Sequence, residues 1–236
     1  MHFKFLTSAL PSIVGLMMAA GCSKSASTPD VIATVNFSPL TANSTWTYLN
    51  TPGSSFTLTA TNKDTVANGK TYRVLLNSTG GNNYLGKSGS NYYRFGSIAQ
   101  LNISAAEELY LKDDQPVSAT WLTTQNFTVP GIPLPLIANL NYSIKEKGIS
   151  RTVASKAFSN VTHVRLDLSI TGLGPIGGGN FYYAEGVGLI ENVINVNVPG
   201  QAAINQTQGH RRWPLHRGAP IRRCRRAWRA RAPGWR

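Results

Sequence analysis

In the segment VTHVRLDLSIT, residues 161–171, Val164, Leu166, Leu168 and Ile170 alternate with His163, Arg165, Asp167 and Ser169. An apolar period of two describes a strand with one face on a core and the other in water; a helix would repeat its apolar stripe every three to four residues. The same period recurs along the chain. Phe56, Leu58 and Ala60 alternate with Thr57, Thr59 and Thr61, and Tyr72, Val74 and Leu76 alternate with Thr71, Arg73 and Leu75. Between those two runs lies Asn68-Gly69, a dipeptide that tolerates positive φ and closes tight hairpins. Further turn signals stand at Thr79-Gly80-Gly81-Asn82 and Ser88-Gly89-Ser90-Asn91, and another strand is expected over 189–198, where Ile190, Ile194, Val196 and Val198 share a face.

Helix signals are sparse. SAAEELYL, residues 104–111, reads equally as a short helix or the start of a strand. No strand–helix–strand rhythm is present. The expectation is therefore an all-β fold: a single antiparallel meander forming a curved sheet or open β-barrel, with few or no helices outside the first 21 residues. A chain of 236 residues with 42% hydrophobic content can bury a core for one such domain.

The formal charge of +13 is not spread over the chain. Residues 209–236 hold ten arginines, no lysine and no acid, whereas residues 22–208 carry twelve basic and ten acidic side chains. The body is close to neutral, which removes the whole-domain argument for nucleic acid. Within the tail, Trp213, Trp228 and Trp235 interleave with the arginines, a mixture that binds nucleic acid or anionic lipid by charge and stacking. Its Arg, Ala, Gly, Pro and Trp are also what a GC-rich coding strand yields out of frame, and the all-arginine basicity favours that frameshift reading. The expected organisation is a leader over 1–21, a tether over 22–30, a β domain over 31–198 and a disordered Arg-rich tail over 199–236. Cys22 and Cys224 lie in segments of different character, so no structural disulfide is expected.

Residues 1–21 have the three parts of an export signal: Lys4, an apolar stretch from Phe5 to Met18, and the small residues Ala19, Ala20 and Gly21. Ala19-Ala20-Gly21-Cys22 resembles the lipobox of bacterial lipoproteins, with Ala19 where leucine is more usual. That resemblance implies cleavage before Cys22, diacylglyceryl on its thiol, and the bilayer as a partner through Cys22. Ser23 after the cysteine implies the outer membrane, on a face left open. SKSASTPD, residues 23–30, then serves as a flexible tether.

Site chemistry is thin. GLGPIG, residues 172–177, is a literal G-x-G-x-x-G with Glu191 about twenty residues on, as the dinucleotide fingerprint asks. The next residues, Gly178, Gly179 and NFYYAEGVG, cannot open a helix, so the stretch is expected to be a flexible hairpin loop without a nucleotide. His163 is the one histidine of residues 22–208, too few for a metal site. Arg165 and Asp167 on its face suit a surface charge pair better than a nucleophile and base. Glu107 and Glu108 point in different directions and make no paired-carboxylate site. No catalytic residue, metal or cofactor is therefore expected. TVPGIPLPLIANL, residues 128–140, has three prolines among apolar residues and is expected to be a long loop or flap, with Ile132, Leu134, Leu136 and Ile137 as contacts for an apolar ligand or a partner.

The body resembles a group of exported Bacteroidota lipoproteins without established activity. The likeness rests on Trp46-Thr47-Tyr48, LKDDQPVSATW (111–121), YSIKEKG (142–148), FSNVTHV (158–164) and YYAEGVGLIE (182–191). It implies an antiparallel β domain on a lipid anchor in the cell envelope. Asp64-Thr65-Val66 likewise resembles the sites at which such proteins are O-glycosylated, making Thr65 the candidate acceptor. The resulting expectation is a non-catalytic binding or structural module, with an apolar ligand or an envelope protein as its second partner. The alternatives are an envelope hydrolase using His163 and Asp167, and a nucleic-acid or lipid binder working through the tail.

Overall fold

Asn68 and Gly69 have φ of 50° and 72°, so both central residues of this turn lie in the left-handed region that a two-residue hairpin requires. The hairpin they close is one step of a long antiparallel meander. The computed structural model describes residues 35–51, 53–98, 103–128, 135–198 and 202–212. Its strands are β1 (Thr45–Thr51), β2 (Ser55–Ala67), β3 (Lys70–Asn77), β4 (Asn82–Ser88), β5 (Asn91–Ile98) and β6 (Ile103–Lys112). They continue as β7 (Thr120–Phe127), β8 (Leu136–Val153), β9 (Lys156–Ile170), β10 (Gly174–Ala184), β11 (Gly188–Val196) and β12 (Ile204–Arg212). The described residues contain no helix, and SAAEELYL belongs to β6.

All twelve strands join one antiparallel sheet in the order β6-β5-β4-β3-β2-β1-β12-β11-β10-β9-β8-β7. The first and last strands of the described residues, β1 and β12, pair in its middle, and the sheet forms a nearly closed barrel with its edges at β6 and β7. Two side chains bridge those edges: Trp121 Nε1 donates to the Leu109 carbonyl at 2.7 Å and Gln125 Nε2 to the Glu107 carbonyl at 2.7 Å. Stacking of Tyr110 on Tyr183, at 5.3 Å between centroids, spans the interior from β6 to β10. Part of that interior is filled by a cluster of aromatic and aliphatic side chains, among them Trp121 stacked on Tyr142 with Val164, Leu166 and Phe181. Residues 35–44 precede β1 and seal against this core: Phe37 is buried, its N–H donates to Tyr92 Oη at 3.1 Å, and Gly186 N–H donates to the Asn36 carbonyl.

Several expectations change. The β domain does not stop at 198, because 204–212, assigned above to the tail, form β12 between β1 and β11. The polar sequence INQTQGHRR lacks apolar alternation, but backbone partners on both sides stabilise it as a strand. Residues 213–236, including Cys224, lie outside the described residues, as do 1–34 with Cys22. The glycine-rich stretch is a three-residue turn, Thr171–Leu173, after which Gly174 already opens β10. Over 128–140, the last five residues are the start of β8 rather than a flap. In β3 the buried residues are Tyr72 and Leu75, with Leu76 53% exposed, in place of the expected Tyr72, Val74 and Leu76. The two residues face opposite ways, and each finds its own cover: Leu75 the core beside Trp46 and Tyr48, Tyr72 the Phe95 ring and Glu107.

The long β8–β9 hairpin carries a second cluster, in which Val153, Phe158 and Val161 pack with Ala184 and Ile190. His210 of β12 lies against it, edge-on to Phe158 and, on its other side, to Tyr48. Its side chain is buried and neither ring nitrogen has a hydrogen-bond partner among the described residues. Burial, with Lys156 adding to it, lowers its pKa to about 4. An unfolded imidazole titrates near pH 6.5, so the unfolded chain takes up this proton first as pH falls. Stability is therefore full above about pH 6.5, falls between pH 6.5 and 4 by at most about 3 kcal/mol, and levels off below. Urea unfolding of His210→Phe at pH 7.5 and 4.5 should show that slope flattened; an unchanged slope would assign the titration to another group.

Candidate functional site

The alternation Ala106, Glu108, Tyr110 puts a carboxylate among the inward-facing residues of β6, all three being buried. Its charge is met there by Arg94 of the adjacent β5, which lies opposite in register. Arg94 Nε and Nη2 both donate to Glu108 Oε2, Nε at 3.0 Å, and Tyr142 Oη donates to Glu108 Oε1. The Glu108 charge raises the guanidinium pKa above its ordinary value, against the opposing effect of burial. Burial, followed by Glu108, pushes the Tyr142 hydroxyl well up, and burial pushes Tyr110 up to about 12. Tyr183 is raised well above the ordinary value for the same first reason. The hydroxyls are thus neutral donors throughout the physiological range.

Arg94 faces a cavity of about 260 Å³ inside the barrel. Although it sits within the fold, 47% of its side-chain surface is free. β1–β6 and β10–β12 all contribute to the wall, with the segment 35–44 adding Phe37, Ser38 and Leu40. The wall is mostly apolar: Phe56, Leu58, Leu75, Leu85 and the rings of Trp46 and Tyr48. Trp46 and Tyr48 are fixed across the barrel, Trp46 Nε1 donating to the Val187 carbonyl at 2.8 Å and Tyr48 Oη to the Leu189 carbonyl at 3.0 Å. The polar part consists of Arg94, Asn77, Asn83, Asn192 and Gln208 beside Ser38 and the tyrosines. Asn192 Nδ2 donates to Gln208 Oε1 at 2.9 Å, and its buried Oδ1 has no partner among the described residues.

The residues singled out in the sequence lie elsewhere. His163 is on the opposite face of β9 from Val164, with Nδ1 3.0 Å from Glu146 Oε2, Nε2 2.9 Å from Asn180 Oδ1, and its ring stacked on Tyr182. Asp167 accepts from Arg165 Nε at 2.8 Å. The fold thus joins His163 to Glu146 and Asn180 instead of Asp167, and neither partner offers a hydroxyl or thiol. Thr65 is half-buried in β2 opposite Tyr72, next to the Asp64–Arg73 ion pair. Leu136 packs on the core and Ile137 is exposed at the start of β8. Ile132 and Leu134 lie outside the described residues. Glu107 and Glu108 do point apart: Glu107 accepts from Lys70 and Tyr72 on the far face from Glu108. Burial alone would raise the Glu107 pKa, but those two hydrogen bonds bring it below the ordinary value. Arg94, Glu108, Asn192 and Gln208 were the residues missed. The inward parity of Glu108 with Ala106 and Tyr110 was the available signal.

No family model matches this chain, and no curated protein matches it in sequence. Two solved structures are similar over most of its length. One, from Parabacteroides distasonis, is taken to be a lipoprotein; it is 12% identical, with 75% of this chain and 97% of that one covered, at a TM-score of 0.40. The other, from Bacteroides fragilis, is taken to be an exported protein with a YmcC-like fold; it is 10% identical, with 72% and 95% covered, at a TM-score of 0.35.

Proposed function

We propose that this chain is an exported bacterial lipoprotein, anchored through Cys22, whose barrel holds a small apolar molecule in the cell envelope without transforming it. The observation that supports the binding role is the cavity of about 260 Å³ behind Trp46, Tyr48 and Phe56. A protein interior organised for stability alone is close-packed, with few voids larger than a water molecule. Here, beside the cluster around Trp121 and Tyr142, the barrel keeps an apolar space with a few convergent polar groups, the usual character of a ligand site.

The anchor rests on the leader and on the sequence around Cys22. The strand faces turned away from the core carry Thr57, Thr59, His163, Arg165 and Asp167, side chains suited to water, whereas a membrane-spanning barrel turns an apolar band outward. Bilayer attachment therefore falls to lipid on Cys22, and two or three acyl chains hold a protein firmly where one holds it only marginally. Ser23 supports the outer membrane as the destination.

Mass spectrometry of the native protein tests both halves. The mature N-terminus should be Cys22 carrying a diacylglyceryl mass, and an unmodified N-terminus at any other residue would overturn the anchor. Organic extraction of the purified protein should release a small apolar compound that is absent from a Leu75→Trp variant, whose indole fills the cavity. Hydrolytic activity in the wild type that disappears in His163→Ala would instead support the hydrolase alternative.

A further inference from the structure

The cavity's polar end is charge-balanced before any ligand arrives. Arg94 is the one cation among its described lining residues, and Glu108 behind it already accepts from Nε and Nη2. The tyrosine hydroxyls on the wall are neutral. Of the polar lining, buried Asn192 Oδ1 has no hydrogen-bond partner among the described residues, and 47% of the Arg94 side chain stays free. The cavity thus offers an unpaired amide acceptor and a guanidinium already answered by Glu108, with no net charge.

A carboxylate or phosphate brought here would leave water for a wall of Leu, Phe, Trp and Tyr, and would meet a guanidinium whose charge is already answered. The desolvation penalty of a buried ion is repaid only by an excellent, uncompensated partner. A cationic head fares worse against Arg94. A hydroxyl or ester head, by contrast, meets the polar lining of Arg94, Asn83 and Asn192 at little desolvation cost, and leaves the Arg94–Glu108 pair intact. Size narrows the class further. A volume of about 260 Å³ sits just under the usual ligand-site range of about 300–1,000 Å³, enough for one chain or ring and too small for a two-chain lipid.

We propose that the cavity takes an uncharged single-chain amphiphile, its chain against Leu58, Leu75, Leu85 and Phe56 and its hydroxyl- or ester-bearing head at Arg94 and Asn83. This rests on the binding reading above and adds the ligand's charge and class. Two fluorescent probes that differ by one sulfonate test it: uncharged N-phenyl-1-naphthylamine and anionic 8-anilinonaphthalene-1-sulfonate. They are titrated into the full chain carrying Cys22→Ser, so that no acyl chain of the protein's own competes. The neutral probe should bind at least about tenfold more tightly. Monolauroylglycerol should displace it at concentrations where laurate at pH 8 does not. Leu75→Trp should abolish the binding, and Leu58→Trp on another part of the wall serves if Leu75→Trp fails to fold. Sulfonated probe or laurate binding as tightly as the neutral counterpart overturns the neutral-ligand proposal while leaving the binding site standing. Probe binding that is absent, or that survives every folded tryptophan variant, overturns the binding site itself.

Discussion

Glu108→Ala is expected to lower the unfolding free energy by about 2–4 kcal/mol, whereas Glu107→Ala, its neighbour, should cost about 1–2 kcal/mol. Both carboxylates are ion-paired and both accept from a buried tyrosine, so the difference lies in how deeply each carboxylate itself sits. The Glu108 side chain is 7% exposed and serves three donors, two nitrogens of Arg94 and the Tyr142 hydroxyl. Removing it strands the buried Tyr142 phenol and takes the carboxylate from a guanidinium whose side chain is 47% exposed, so solvent makes up part of the charge lost. Glu107 serves Lys70 and the buried Tyr72 hydroxyl, but at 21% it is more exposed than Glu108, so water replaces more of what its partners lose. The double variant Arg94→Met with Glu108→Leu should recover part of that loss, because it removes both charges together and leaves only the Tyr142 hydroxyl without its partner. Urea denaturation of the four proteins measures all of this. Equal losses from Glu108→Ala and Glu107→Ala would show that water in the cavity screens the inner pair as solvent screens the outer one.

The β9 face was legible because every second residue from Val164 to Ile170 is apolar, and the structure buries that face. The Asn68-Gly69 turn was legible because its backbone angles restrict the residues that fit. β3 was misread because Leu75 and Leu76 offer two parities, and the choice belongs to β2 and β4. In β2 the register against β3 slips between Ala60 and Asp64, so that Thr61, Asn62 and Lys63 stand opposite Val74 alone. No window of β3 contains that information. β12 was missed for a related reason. Its inward residue Gln208 is satisfied by Asn192, a partner sixteen residues away, so a polar strand can face the interior without an apolar signature.

The cavity was hidden more deeply. Its wall combines residues from Phe37 to Gln208, and no local pattern reports that nine strands leave a space between them. The sequence did carry the parity of Glu108 and the oddity of a charged residue at an inward position. A charge on the core face of a strand calls for a partner on the neighbouring strand. Arg94, on the same side of β5 as buried Tyr92, was the residue able to provide it.

Gly178→Ala should prevent folding or cost at least about 3 kcal/mol, a far larger effect than alanine has at most strand glycines. Gly178 stands in the middle of β10, opposite Asp167 on β9 and Asn195 on β11. A Cβ there would lie 2.0 Å from the Leu166 carbonyl oxygen, and that oxygen belongs to backbone paired on both sides. No rotamer change relieves such an overlap; β9 or β10 must move, and the inward residues Leu166 and Phe181 move with it. Gly177 beside it has φ of 128° and an equally close approach, 2.1 Å from the Asn195 carbonyl oxygen. Gly177, the last glycine of the nucleotide-binding pattern in the sequence, and Gly178 after it are thus required by strand packing, a recognised reason for glycine within a sheet, whereas Gly172 and Gly174 have open space around them and positive φ of 84° and 85°. Gly96→Ala in β5 is the control, because its Cβ would meet nothing within 4 Å, and its stability should stay within about 0.5 kcal/mol of wild type. Soluble yield and urea midpoints of the two variants decide the matter. A Gly178→Ala protein within about 1 kcal/mol of wild type would mean that the barrel wall yields at this point, and that the glycine run does not fix the spacing of β9, β10 and β11.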